Sequence, residues 1–168
     1  MVDLVEIQTA YYMMAATGVL IAAIYYVVNT RTTLQTRQAQ LFMPIHSQFY
    51  SRDFIKAIQD IIFDYEWKDY EDFQMKYDRK ANLEAYTSRM ATASFFEGVG
   101  VLVKRRLIDA SFVDDLMSGY IMRYWEKMNP IVNETRLRLK WPQYGEYIEY
   151  LYNQIKPIVE RQNPELRK

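Results

Sequence analysis

The chain has 168 residues, 21 Lys and Arg against 21 Asp and Glu, one histidine (His46) and no cysteine. The lack of cysteine excludes disulfides, thiol nucleophiles and Cys-ligated zinc or iron–sulfur sites, and one histidine cannot supply the paired Glu-x-x-His motifs of a di-iron bundle. Half the residues are hydrophobic, a quarter are charged, and there are only 5 Gly and 5 Pro, a composition suited to long helices rather than many turns.

In chain order, the first element is apolar. Ala10–Val28 reads AYYMMAATGVLIAAIYYVV, and no charge occurs from Ile7 to Thr30. About 20 residues of helix cross a hydrocarbon core of about 30 Å, so this run predicts a transmembrane helix. Tyr11 and Tyr12 at one end and Tyr25 and Tyr26 at the other suit the two interfacial belts. A cleaved signal peptide would need a basic start and a shorter apolar core. A buried core helix of this length would be unusual without a charge.

Asp3 and Glu6 precede the run, whereas every Lys and Arg lies at Arg31 or later. The positive-inside rule then puts the N-terminus outside and the following domain in the cytoplasm, at the inner (plasma) membrane, as a single-pass protein. Ala15, Gly18 and Ala22 form a small-residue face for close helix packing. The partners expected here are the lipid bilayer and, through that face, a second copy or another protein. From Arg31 onward 21 basic residues meet 19 acids, a net +2, too small to point to nucleic acid.

The rest reads as helix. The expected organisation is a tail and membrane helix over 1–30, a helical extension over 31–43, and a bundle of four to six helices over 44–168, all-α throughout. Pro44 should interrupt or kink the extension. Ser51 is placed to cap the next helix, whose Phe54, Ile55, Ile58, Ile61, Ile62 and Tyr65 share one face. A short helix is expected over Asp69–Tyr77, and a longer one over Asn82–Arg106, with Lys104, Arg105 and Arg106 in its last turn. Another starts at Asp109 or Ser111, and Asn129-Pro130 should restart or kink it. Trp141-Pro142 breaks the chain. Tyr144, Ile148, Leu151, Ile155 and Ile158 then give the seam of a last helix.

Among candidate sites, Phe95–Val103 carries one polar side chain, Glu97. A carboxylate on so apolar a helix should be at least partly buried, and therefore paired or raised in pKa. The expected partner is Arg123 on a neighbouring helix, with Gly98 and Gly100 admitting close approach. Gly98-Val99-Gly100 is no nucleotide loop, since no strand precedes it. Asp60–Asp78 mixes seven acids with interleaved aromatics. Trp67, Tyr70 and Phe73, with Asp69, Glu71 and Asp72, could form a docking surface in which aromatics anchor and acids steer; the alternative is that the aromatics cap the core. Arg136, Arg138 and Lys140 alternate with Leu137, Leu139 and Trp141, either as a lipid-facing stretch or as a helix end. No catalytic set, cofactor site or metal site is legible.

Several words carry a family resemblance: Thr36-Arg37-Gln38-Ala39, Trp67–Phe73, Phe95–Lys104, Trp125-Glu126-Lys127 and Glu149-Tyr150-Leu151-Tyr152. The stretch Thr36–Tyr152 resembles an uncharacterised prokaryotic family catalogued only as a domain of unknown function. That resemblance implies a short membrane-anchored protein with one helical cytoplasmic domain, and it implies no activity. The functional expectation is a non-enzymatic interaction or accessory module. The alternative is a small regulatory or sensory domain that binds an apolar or anionic ligand between its helices.

Overall fold

The computed structural model describes residues 3–164. Among them the structure is helical and has no strand. Six α-helices follow in order: α1 (Leu4–Phe49), α2 (Arg52–Gln59), α3 (Tyr70–Tyr77), α4 (Leu83–Lys104), α5 (Ala110–Leu139) and α6 (Glu146–Gln162). A π-helical turn, Asp60–Asp64, extends α2. The chain divides into two units, residues 1–40 and 41–168.

In the first unit α1 is exposed along its apolar run. Its most apolar window of 18 residues has a mean hydropathy of 1.7 and buries none of them. By length and composition it can cross a membrane. The Thr9 and Thr17 hydroxyls donate to the carbonyls of Val5 and Met13, each at 2.8 Å, so neither needs a partner outside the helix. Ala15, Gly18 and Ala22 fall on one exposed face, and a Cβ at Gly18 would meet nothing within 4 Å.

The second unit holds the core. It begins with the last turns of α1, where Phe42 and Phe49 are buried. Pro44 lies inside this helix and does not end it, because a proline removes one ladder hydrogen bond and the burial of Phe49 beyond it favours continuing. Ser51 then caps α2, its hydroxyl accepting from the Phe54 N–H at 3.4 Å. Phe54, Ile58, Ile61 and Ile62 turn inward along α2 and the π turn. The turn's Ile62 carbonyl accepts from Lys127 Nζ at 2.8 Å, which satisfies a helix-end acceptor from a neighbouring helix.

Asp69 and Asn82 cap α3 and α4 through their side-chain oxygens, and Asp109 does the same for α5. Pro130 sits inside α5, which neither restarts nor stops there. Lys140, at φ +51, ends α5 in the left-handed conformation, and Pro142 follows. Residues of α2, α4, α5 and α6 supply most of the core, with α6 packed on both α4 and α5. Ile148, Leu151 and Ile155 form the buried seam of α6, and Ile158 is half-buried. Each fully buried Phe or Ile contributes about 1.5–3 kcal/mol relative to exposure.

Candidate functional site

One face of α4 repeats at helical spacing through Arg89, Ala93 and Glu97. Opposite it, α5 presents Tyr124, Met128 and Val132 at the same spacing. The turn Trp141–Gly145 and Ile148 of α6 close the remaining side. These residues, with Met90, Ser94, Gln143 and Tyr144, line a cavity of about 310 Å³, at the small end of the range for small-molecule sites. The turn is held by Arg136, whose Nε donates to the Tyr144 carbonyl at 2.7 Å and whose Nη2 pairs with Glu149 at 2.7 Å. Gly145, at φ +70, makes the left-handed step that starts α6, with Val132 3.0 Å from where its Cβ would stand. A side chain there would be strained on both counts.

Glu97 and Arg89 lie at opposite ends of this lining. Gly145 is the N-cap of α6 and offers no side-chain oxygen, so the first N–H groups of the helix need another acceptor. Glu97 provides it: its two carboxylate oxygens accept from the N–H groups of Tyr147 and Ile148, each at 3.4 Å. A carboxylate from α4 thus caps α6, in the favourable sense for the helix dipole. This reach depends on Gly100, where a Cβ would stand 2.2 Å from the Tyr147 carbonyl oxygen. Burial pushes the Glu97 carboxyl above its ordinary range, and the two backbone hydrogen bonds oppose that only in part.

The expected pairing of Glu97 with Arg123 is therefore corrected. Arg123 is exposed on α5, with its guanidinium 6.0 Å from the Phe63 ring centroid, and no Glu97–Arg123 salt bridge forms among the described residues. The acid finds a helix terminus where a cation was expected. Of the two glycines expected to admit a neighbour, Gly100 does so, while a Cβ at Gly98 would meet nothing within 4 Å.

Arg89 is the group that sequence reasoning passed over. It is 7 % exposed. Its guanidinium lies 5.0 Å from the Phe73 ring centroid and 5.3 Å from that of Tyr86. Its Nε has no hydrogen-bond partner, and no acid forms a salt bridge with it among the described residues. A buried cation held only by aromatic faces is electrostatically incomplete. Tyr124 stands near it, its phenol pushed upward by burial and so neutral, a hydrogen-bond donor. The available signal was an arginine one helical repeat ahead of Ala93 and Glu97 on the same face.

The family described as Domain of unknown function (DUF4760) matches residues 13–155. The chain belongs to that family. No curated protein and no solved structure matches it. The DUF4760 span takes in every residue of the cavity lining, the Glu97 cap and Arg89.

The acidic-aromatic segment also falls within the DUF4760 span, and its aromatics other than the exposed Phe63 pack on the core. Phe73 is 1 % exposed. Trp67 packs edge-on against Phe73 and lies beneath Lys127 Nζ, 5.2 Å from the ring centroid. Tyr70 is covered by the Arg138 guanidinium at 4.4 Å. The acids are engaged locally: Asp69 caps α3, Asp72 pairs with Lys76 at 2.8 Å, and Glu71 pairs with Arg138. Of the residues expected to form a docking surface, Phe73 belongs to the core, Trp67, Tyr70 and Asp72 are half-buried, and Asp69 and Glu71 are exposed. What faces solvent is a shallow groove between residues 67–71 and Pro130, Glu134 and Arg138 of α5.

Proposed function

We propose that this chain is a membrane-anchored helical module, with its N-terminus outside and its bundle on the cytoplasmic face of the inner (plasma) membrane, that acts by binding rather than by catalysis. The observation that carries the reading is the apolar run of α1. It is uncharged from Ile7 to Thr30, exposed throughout, and followed by Arg31 and Arg37. Exposing so large an apolar surface to water is unfavourable, and a bilayer removes that cost. Among the described residues the buried core begins at Phe42, after the run. The open face at Ala15, Gly18 and Ala22 suits a second helix, from another copy or a partner protein.

The binding role follows from the side chains available. A chain with no cysteine and one histidine has few routes to nucleophilic or metal chemistry, and the cavity lining pairs no nucleophile with a base. Alkaline carbonate extraction tests the anchor: the chain should stay in the membrane pellet, and release into the supernatant would refute it. Topology is read from Asp3→Cys and Lys168→Cys, each the only cysteine in its chain. An impermeant maleimide on intact cells should label the first and spare the second. The reverse pattern would invert the orientation.

A further inference from the structure

We propose that the cavity between α4 and α5 is a binding site for a small organic monocarboxylate with an apolar or aromatic body, the carboxylate seated on Arg89. The first observation is Arg89 itself, more than nine-tenths buried, lining the cavity, with Nε unpartnered and no acid paired to it. A guanidinium offers a planar fork that matches a carboxylate in two parallel hydrogen bonds. The aromatic faces of Phe73 and Tyr86 hold the fork without using its N–H groups. An incoming carboxylate would complete it.

The second observation is the rest of the wall. Met90, Ala93, Met128, Val132 and Ile148 offer apolar surface, with Tyr124 as a nearby polar group. The methionines can adapt to the shape of a ligand body. The third is charge. Glu97 lines the same cavity eight residues along α4, about 12 Å by helical rise. It is committed to capping α6, so it is a poor neighbour for a second negative charge. One guanidinium facing one distant carboxylate favours a monoanion with its charge at one end over a phosphate or a dicarboxylate. The site stands whether or not α1 crosses a membrane, so its test is independent of the topology experiments.

The test uses the full chain in nanodiscs of zwitterionic lipid and isothermal titration with benzoate, 3-phenylpropanoate and indole-3-acetate. The amide of each acid reports partition into lipid, and inorganic phosphate reports simple anion binding. The expected result is saturable binding of at least one acid at one per chain, at least tenfold tighter than its amide and than phosphate. Arg89→Met should abolish the preference for acid over amide. Ala93→Leu, which narrows the cavity and leaves Arg89 in place, should weaken the acid at least tenfold. Binding of none of the three acids, equal binding of acid and amide, phosphate as tight as the acids, or wild-type affinity in both variants would each overturn the proposal.

Discussion

Two ends of one cavity wall treat charge in opposite ways. Glu97 and Arg89 sit on the same face of α4, the first half-buried and the second buried. Glu97 is answered by the fold, through two backbone N–H groups of α6. Arg89 is met only by aromatic rings, and its Nε is unanswered. The contrast separates a polar group that the fold uses from one that the fold merely accommodates. A buried polar group lacking a partner costs stability, and the proposed carboxylate would supply the partner that Arg89 lacks.

The largest expected effect breaks the Glu97 end without touching Glu97. Gly100→Ala would place a methyl 2.2 Å from the Tyr147 carbonyl oxygen. That oxygen is backbone, so α6 must move away from α4, and the cap lengthens with it. We expect a loss of about 3 kcal/mol, the upper range for overpacking, read by chemical denaturation of the full chain in nanodiscs. A wild-type midpoint would mean that α4 and α6 do not approach closely at this point.

Next in size is the cap. Glu97→Ala leaves the Tyr147 and Ile148 N–H groups without an acceptor and should cost about 1–2 kcal/mol, as other lost N-caps do. Glu97→Gln keeps an acceptor oxygen and removes a carboxylate whose ionisation is disfavoured by burial, so it should stay within about 0.5 kcal/mol of wild type at neutral pH. The ion-pair expectation gives the opposite order of magnitude, since stranding a buried Arg123 would cost about 3–5 kcal/mol. A Gln variant that loses that much would restore the ion pair and refute the cap.

A smaller effect has the opposite sign. Gly98 is exposed on α4, two residues from Gly100, and a Cβ there meets nothing within 4 Å. Gly98→Ala should therefore raise stability by about 0.5–1 kcal/mol, the helix-propensity gain. The same denaturation experiment would then show two neighbouring Gly→Ala changes of opposite sign. Two losses would mean that Gly98 also admits a neighbour.

The smallest effect is on pH dependence. The folded carboxyl of Glu97 lies above its ordinary value of 4.5, so the folded state binds more protons than the unfolded state between the two values. Stability from this group is then greatest below the ordinary value and falls as pH rises through the folded one. Relative to Glu97→Gln, wild type should lose stability on going from pH 4 to neutrality. A relative gain would show that the cap, rather than burial, dominates the group.

Much of the fold was legible because its signals are local. Ser51, Asn82 and Asp109 stand where capping chemistry needs an oxygen, and the apolar faces of α2 and α6 repeat at helical spacing. Of the two outcomes expected at each proline, a break does not occur: Pro44 and Pro130 lie inside continuous helices, each removing one hydrogen bond from a helix that packing holds together. The candidate site was legible only in part. Glu97 stood out as the one polar group in an apolar run, and its partial burial followed. Its partner did not, because a helix terminus is a set of backbone N–H groups that no side-chain letter records. Arg89 was hidden for a related reason: an arginine on a helix usually reaches solvent, and its enclosure comes from Phe73 and Tyr86 meeting it in three dimensions. Trp67, Tyr70 and Phe73 read equally as anchors or core, and only burial distinguishes them.

The measurement that bears most directly on the contrast is the stability of the ligand-free Arg89→Met chain, by chemical denaturation in nanodiscs. If the fold does not use the charge of Arg89, replacing it with an apolar side chain of similar length should leave stability within about 1 kcal/mol of wild type or raise it, as removal of buried charge often does. A loss of about 3 kcal/mol, the size expected for a lost core side chain, would show that Arg89 serves the fold, and the two ends of the cavity would no longer differ.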